Sequence, residues 1–433
     1  MHIALVYISL VIIWLRISIN IKGILRLSKS NHPIKVSDTV KKEKPESKAK
    51  LFIVIPALNE QERIPLFISH LTQRLADHQD ALTHAVIVCN DTEIKNNNSG
   101  QFTWDVARET LGKPAYSSFS SRFDVIRYAG ECKRSGQLNY ACQYLAENHQ
   151  LAPRDYILFL DVDAVLDRNF FACVADFVAA AESDIAQAQC IYHADQNDHS
   201  YDNIAAHWQN YFMLSNERTR FIQREELNAK GKALKEKFWY TANGSIIKYS
   251  LIDSVGGFAE NCSVDDLATS CLFCAKGCSV TLLDTFLRVE QVAGAAADLN
   301  QKKFWCSSYL EMYQLLDFKA LNWMHRVNYI LFRMYYLLIW CLRGPVIFIL
   351  GTSIFIDKGI FILSLLSYAA YILSSYAFPY FFIEHKNRFL GNKPVKSTLI
   401  LLAYPIVQSF VPWVMLLERT FSCIKNSLKK NKG

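Results

Sequence analysis

Hydrophobic and polar positions divide the chain into three stretches of different grain. Residues 3–21 (IALVYISLVIIWLRISINI) carry a single charge, Arg16, and a run of this length spans a bilayer core. No small-residue cleavage site follows, so the segment is expected to remain as an uncleaved anchor. Residues 28–50 are polar, Lys-rich and aperiodic, as a linker is. From Lys50 onward short apolar runs alternate with amphipathic ones. Strands are predicted at 51–55 (LFIVI), 85–89 (AVIVC), 124–128 and 156–160 (YILFL), with helices over 62–76 and 136–148. That alternation predicts an α/β domain with a doubly wound, mostly parallel sheet. The stretch 93–121, containing Asn96-Asn97-Asn98-Ser99-Gly100, reads as a mobile loop.

The final part of the chain is apolar again, in segments at about 334–356, 360–383 and 397–417. Asp357-Lys358-Gly359 breaks the first two apart. Residues 307–333 mix charges with Tyr, Trp and Leu at helical spacing, which predicts a helix lying in the membrane interface. Pro405 and Pro412 interrupt the last segment, so it is expected to be re-entrant or interfacial.

Charge adds orientation. The chain carries a formal net charge of +7, yet nine Lys/Arg against Asp38, Glu43 and Glu46 place +6 of it between Ile21 and Lys50. The remainder is close to neutral, so no basic surface is left for nucleic acid, and none is expected as a partner. A basic segment beside a span instead marks the cytoplasmic side and can sit on anionic lipid. The loop 384–396, with Lys386, Arg388, Lys393 and Lys396, belongs on the same side. Twelve cysteines are scattered through the chain. Only Cys271, Cys274 and Cys278 cluster, and with Leu267 they fall at helical spacing, which predicts an apolar helix face running past a Gly277 C-cap.

Four short segments carry candidate chemistry. Asp161-x-Asp163 directly follows an apolar strand. A hard divalent cation takes oxygen ligands, and with phosphate substrates one or two carboxylates often hold it. Alone, the pair reads equally as a strand-end turn. Pro56-Ala57-Leu58-Asn59-Glu60 is a strand-to-helix turn in which Asn59 could cap. Asp265-Asp266 could be two acids complementing a helix dipole, or a base poised to take a hydroxyl proton. Gln301-Lys302-Lys303-Phe304-Trp305 offers Trp305 as a stacking platform.

Taken together, in this order, the segments resemble family 2 glycosyltransferases of the GT-A fold. The resemblance covers about residues 50–310. It implies that Pro56, Ala57, Leu58 and Glu60 line the nucleotide. It implies the same of the acidic pair that ends the next strand, here Asn90-Asp91, and leaves open which of the two touches the base. Lys133-Arg134-Ser135-Gly136-Gln137-Leu138-Asn139 resembles the family's Gly-Lys-Ala-Gly-Ala-Leu-Asn, placing Arg134 against the diphosphate. Asp163, helped by Asp161, would hold Mg²⁺ or Mn²⁺. Asp266 would be the base, with Asp265 where the family commonly has Glu. Asn243, Gly244, Asp265, Gln301 and Trp305 would face the acceptor, and Phe304 stands where the family's Gln-x-x-Arg-Trp box has arginine.

The resulting expectation is an inverting, metal-dependent hexosyltransferase with a nucleotide-sugar donor, a UDP-sugar being expected, and a lipid-linked or glycan acceptor. It would act in surface polysaccharide or glycolipid synthesis. The expected organisation is an anchor (1–21), a basic linker (22–50), the GT-A domain (51–310), an interfacial helix (311–333), a membrane region (334–420) and a basic tail (421–433). The expected setting is a bacterial inner membrane, crossed more than once, with the catalytic domain cytoplasmic. A processive polysaccharide synthase and an inactive membrane scaffold are the alternatives.

Overall fold

The computed structural model describes residues 2–29, 49–76, 78, 84–93, 100–131, 133–181, 183–194, 200–219, 222, 243–260, 264–315, 323–382 and 394–430. Most of the linker, the 384–393 part of the basic loop, the Asn96–Ser99 tract and Thr241-Ala242 therefore lie outside the described residues. The chain divides into two compact units. One takes residues 33–191 and 233–290, the other residues 1–32, 192–232 and 291–433.

The first unit is built on a mixed sheet. Its strands are β1 (Leu51–Ala57), β2 (His84–Asn90), β3 (Phe123–Tyr128), β4 (Tyr156–Phe159), β5 (Val165–Leu166), β6 (Ile185–His193), β7 (Ser245–Lys248) and β8 (Val280–Glu290), in the order β3-β2-β1-β4-β7-β6-β8-β5. Strands β1 to β4 are mutually parallel, and β7 runs against both β4 and β6, so β6 points the same way as the first four. Every residue of β1 and β2 is buried. Central parallel strands are covered on both faces, which is why their sequence is continuously apolar rather than alternating. Burying side chains such as Ile53 and Ile55, both fully enclosed, contributes about 1.5–3 kcal/mol each as an upper figure.

Helices α2 (Ile64–Ala76), α3 (Thr103–Leu111), α4 (Ser117–Ser120), α5 (Arg134–His149) and α6 (Phe170–Ala180) connect or flank these strands. The mobile loop expected over 93–121 is overturned at α3 and α4. Thr103, Ala107, Thr110 and Leu111 make a buried face at helical spacing, and the Phe102 N–H donates to Asp105 Oδ2 (3.1 Å), closing the helix start. Burial on one face and an N-terminal cap outweighed the turn-rich sequence before it.

The second unit gathers α1 (His2–Lys29), α7 (Ser200–Phe212) and the later helices. After α8 (Tyr249–Val255) and α9 (Asp265–Ala275) of the first unit come α10 (Ala295–Leu315), α11 (Trp323–Thr352), α12 (Lys358–Phe382) and α13 (Pro394–Lys430). Among the described residues four helices are long and apolar enough to cross a membrane, over His2–Arg26, Leu337–Phe355, Lys358–Tyr376 and Thr398–Phe421. On α1, Val6, Leu10, Ile13 and Ile17 are buried while Ile8, Val11 and Leu15 are exposed, a division suited to one face on protein and one on lipid. Arg16, the one charge in this run, donates to the Tyr211 hydroxyl (2.9 Å) and lies over its ring. Helix α13 passes through Pro405 and Pro412 without a break, contrary to the interruption expected there. Prolines are tolerated in helices at membrane depth because neighbouring groups satisfy the freed carbonyls.

Candidate active site

The carboxyl ends of the parallel strands gather the polar groups, as open α/β sheets dispose them. Strand β4 ends at Phe159, and the turn that follows is closed by the Ala164 N–H on the Asp161 carbonyl (3.1 Å). Val162 and Ala164 are buried, and Asp161 and Asp163 alternate with them, each partly buried. The Asp161 N–H donates to Asn243 Oδ1 (3.1 Å), while Gly244 N–H donates to the Phe159 carbonyl (2.8 Å) and its own carbonyl accepts from Ala188 (3.0 Å). Gly244 has φ +78° and a Cβ there would collide with Leu287 Cδ1. Only glycine fits this position without strain. Asn243, expected toward an acceptor, is thus buried and engaged in shaping the Asp161 turn.

Arg134 opens α5, with Nη2 (2.6 Å) and Nε (3.1 Å) both on Asp161 Oδ1. Its Nη1 stands 3.8 Å from Asp265 Oδ2, beyond hydrogen-bond range. One guanidinium thus lies between carboxylates from β4 and from the first turn of α9. Burial pushes Asp265 above the ordinary carboxylate range; Arg134 opposes the rise and Asp161 adds to it. Asp266 follows on the same first turn and is less buried.

Asp163 is strongly perturbed as well. Its Oδ1 is buried with no hydrogen-bond partner. Burial pushes its carboxyl up to about 7, with Asp161 and Glu60 adding and Arg63 opposing. Burial likewise raises Glu60, against the pull of Arg63. A buried carboxylate oxygen left unpaired beside two further acids is costly, and a hard cation would satisfy it. The residues present therefore fit a divalent metal.

The residues expected on the nucleotide side are positioned through groups the sequence alone did not single out. Asn59 sits at φ +58°, a left-handed turn that asparagine tolerates. Its N–H donates to Glu93 Oε1 (3.1 Å), and Glu60 N–H to Thr103 Oγ1 (2.9 Å). Glu93 Oε1 also accepts from the Thr103 N–H (3.0 Å) and, at very short range, its hydroxyl. The signal in the sequence was a Glu just past the β2 end, but the region read as a loop. Gln137 donates to the carbonyls of Ala57 (3.1 Å) and Val88 (2.7 Å), pinning α5 across the β1 and β2 ends. Of the Asn90-Asp91 pair, Asn90 is buried and committed: it accepts from Thr92 and donates to the Glu131 carbonyl. Asp91 is partly exposed and paired with Arg127 (2.6 Å).

Gln301 and Trp305 belong to the other unit, on α10. There the Lys302 ammonium lies 4.0 Å from the Trp305 ring centroid, donates to Gln209 Oε1 (2.7 Å) and stands 3.6 Å from Asp298. Burial lowers Lys302 to about 8, against the pull of Asp298. The buried Asp298 also accepts from Tyr201 (2.9 Å) and Tyr404 (3.0 Å). The box thus has a cation on its tryptophan two residues before Phe304; the i, i+4 spacing of Asp298 and Lys302 was the available signal. Cys271 and Cys274 lie on α9 and Gly277 takes φ +75° just past its end, but Cys278, expected on the same face, lies beyond the helix because the left-handed Gly277 has already ended it.

A family model described as glycosyl transferase family group 2 matches residues 156–383. No protein of curated function matches the chain. Among solved structures, the chain is similar to the mannosyltransferase PcManGT of Pyrobaculum calidifontis, in complex with GDP-Man and Mn²⁺, at 13% identity and a TM-score of 0.47. That match covers 94% of this chain and 99% of the other. TarS residues 1–349 of S. aureus, with UDP-GlcNAc, is similar at 10% identity and a TM-score of 0.39, covering 84% and 90%.

Proposed function

The chain belongs to glycosyl transferase family group 2, and from that premise we propose that it is an inverting, membrane-bound hexosyltransferase. It would move a sugar from a nucleotide-sugar donor, a UDP-sugar in our reading, to a hydroxyl of a lipid-linked or glycan acceptor. The observation that carries this reading is Asp163, whose buried, unpartnered Oδ1 and raised pKa sit beside Asp161 and Glu60, with Asp161 in turn held by the Arg134 guanidinium.

In this reading Asp163 and Asp161 hold Mg²⁺ or Mn²⁺, which supplies positive charge against the leaving diphosphate. Arg134 uses two of its nitrogens on Asp161, and its guanidinium brings to that end of the sheet the positive charge that diphosphate oxygens would meet. Its place at the start of α5 adds the helix N-terminus to the same anion subsite. Asp91, with Pro56, Ala57, Leu58 and Glu60 beside it, orients the nucleoside. Asp266 accepts the acceptor hydroxyl's proton as that oxygen bonds to the anomeric carbon and the bond to diphosphate breaks. Asp265, buried on the same first turn, is assigned to the acceptor side. Gln301, Trp305, Asn243 and Gly244 are assigned to the acceptor side, Asn243 and Gly244 by shaping the turn.

The proposed setting is the inner membrane, with the 51–310 region cytoplasmic, where nucleotide sugars are made and where the basic 22–50 segment belongs. The test is a donor screen on membranes containing the protein, scored by nucleoside diphosphate release and by product length. Release that requires one nucleotide sugar and an endogenous acceptor, and that stops in Asp163→Asn, is the expected result. No release with any donor would favour the inactive-scaffold alternative, and long chains from a single acceptor the processive one.

A further inference from the structure

A second set of metal-type ligands sits at the opposite end of the same sheet. His84 is the first residue of β2, Asp124 the second of β3, and His149 the last of α5. Asp124 lies opposite Val86 in the parallel register, so it shares a sheet face with His84, two residues earlier on the same strand. Helix α5 packs on β2, and its final turn delivers His149 to that face. His84 Nε2 stands 2.9 Å and His149 Nε2 2.7 Å from the same atom, Asp124 Oδ2. Tyr144, also on α5, donates to that oxygen as well (2.9 Å). The two imidazoles stack with centroids 3.7 Å apart, and the three ligand atoms lie within 4.8 Å of one another.

We propose that His84, Asp124 and His149 form a divalent-metal site of the Zn²⁺ type, separate from the active site, that staples the end of α5 to the β2–β3 edge. Three donors on one oxygen exceed the two lone pairs a carboxylate oxygen offers. A cation among the two ring nitrogens and that oxygen removes the conflict, with each imidazole keeping its proton on Nδ1. Two histidines and one carboxylate are a common ligand set for Zn²⁺, with water in the fourth position. Bonds of about 2.0–2.1 Å in a tetrahedron put ligand atoms roughly 3.3 Å apart, so the two nitrogen–oxygen separations have to open by only about half an ångström. Tyr144 then holds the carboxylate from the second shell. His84 and Asn90 mark the two ends of β2, about 20 Å apart at the strand rise, so the ion would touch no group placed around the donor. Its role is to fix α5, whose other end carries Arg134 and whose Gln137 clamps β1 to β2.

The test uses the full chain in detergent with Asp163→Asn in the background, so that the active site does not compete for metal. Stripped of metal and titrated with Co²⁺, the protein should take up one equivalent with the strong visible absorption of a tetrahedral site, displaced by Zn²⁺. His149→Gln keeps an amide donor toward Asp124 and should lose that signal. Its Zn²⁺ affinity should fall by more than the ~10–100-fold that losing a second-shell partner costs. In the unsubstituted protein, Zn²⁺ should shield both histidines from diethyl pyrocarbonate, read peptide by peptide, which needs no variant to fold. Failure of Zn²⁺ to protect either histidine, or cobalt uptake unchanged in His149→Gln, would overturn the site.

Discussion

Replacing Asp163 by asparagine should abolish transfer and, in the metal-free protein, make the sheet unit more stable. The carboxyl is held at about 7 rather than at its ordinary 3.8, and such a difference corresponds to at most about 4 kcal/mol against ionisation. Below the unfolded value both states are protonated and the cost is absent. It grows as pH rises from about 4, because the unfolded chain ionises first, and is complete once pH passes about 7. Asparagine keeps the shape without the charge. It still leaves a buried polar atom unpartnered, but the wild type bears that cost too. The stability gained should therefore be small near pH 4 and level off above about pH 7. For a unit of this size the full effect is on the order of 10 °C in melting temperature. Thermal unfolding in detergent with EDTA, at pH 5 and pH 8, measures it. Adding Mn²⁺ should reverse the ranking, since only the wild type has the ligand. A gain that is equal at both pH values, or no gain at pH 8, would refute the account of Asp163 as a strained, cation-seeking carboxylate. Transfer that survives saturating EDTA would remove the metal from the reaction.

Other changes probe different parts of the site. Asp266→Asn should cut turnover by at least the ~10²–10⁴-fold expected of a general base while donor affinity, read by nucleotide titration, stays within a few-fold; loss of both would move Asp266 to the donor side. Gly244→Ala should destabilise by about 2–4 kcal/mol, because it combines a left-handed backbone with a collision on Leu287, and wild-type stability in chemical denaturation would contradict this. A cysteine at position 430 should resist a membrane-impermeant maleimide in intact cells. Along α13, Tyr404 bonds Asp298 and Glu418 pairs with Lys303, so its middle lies along the charged side of α10 rather than wholly in lipid. Rapid labelling there would mean a full crossing.

Much of this protein was settled along the chain. Strands β1, β2 and β4 declare themselves because strands buried on both faces must be apolar throughout, and the acidic pairs follow them because turns at strand ends are where side chains can face a ligand. The long apolar helices declare themselves because a stretch suited to lipid admits few charges. What the linear pattern could not supply was partnership. The region 192–232 and the start of α10 read as part of the soluble domain, yet α7 and α10 pack with α13 in the membrane unit, since a helix face does not say which other face will cover it. Asn90 and Asp91 could not be told apart as base contacts until the Asn90 amide was found spent on Thr92 and the Glu131 carbonyl. Glu93 and Gln137 looked ordinary until folding brought distant backbone groups to them. His84, Asp124 and His149, scattered over 65 residues, became neighbours only because parallel strands begin side by side and the helix between β3 and β4 must run back to that same end.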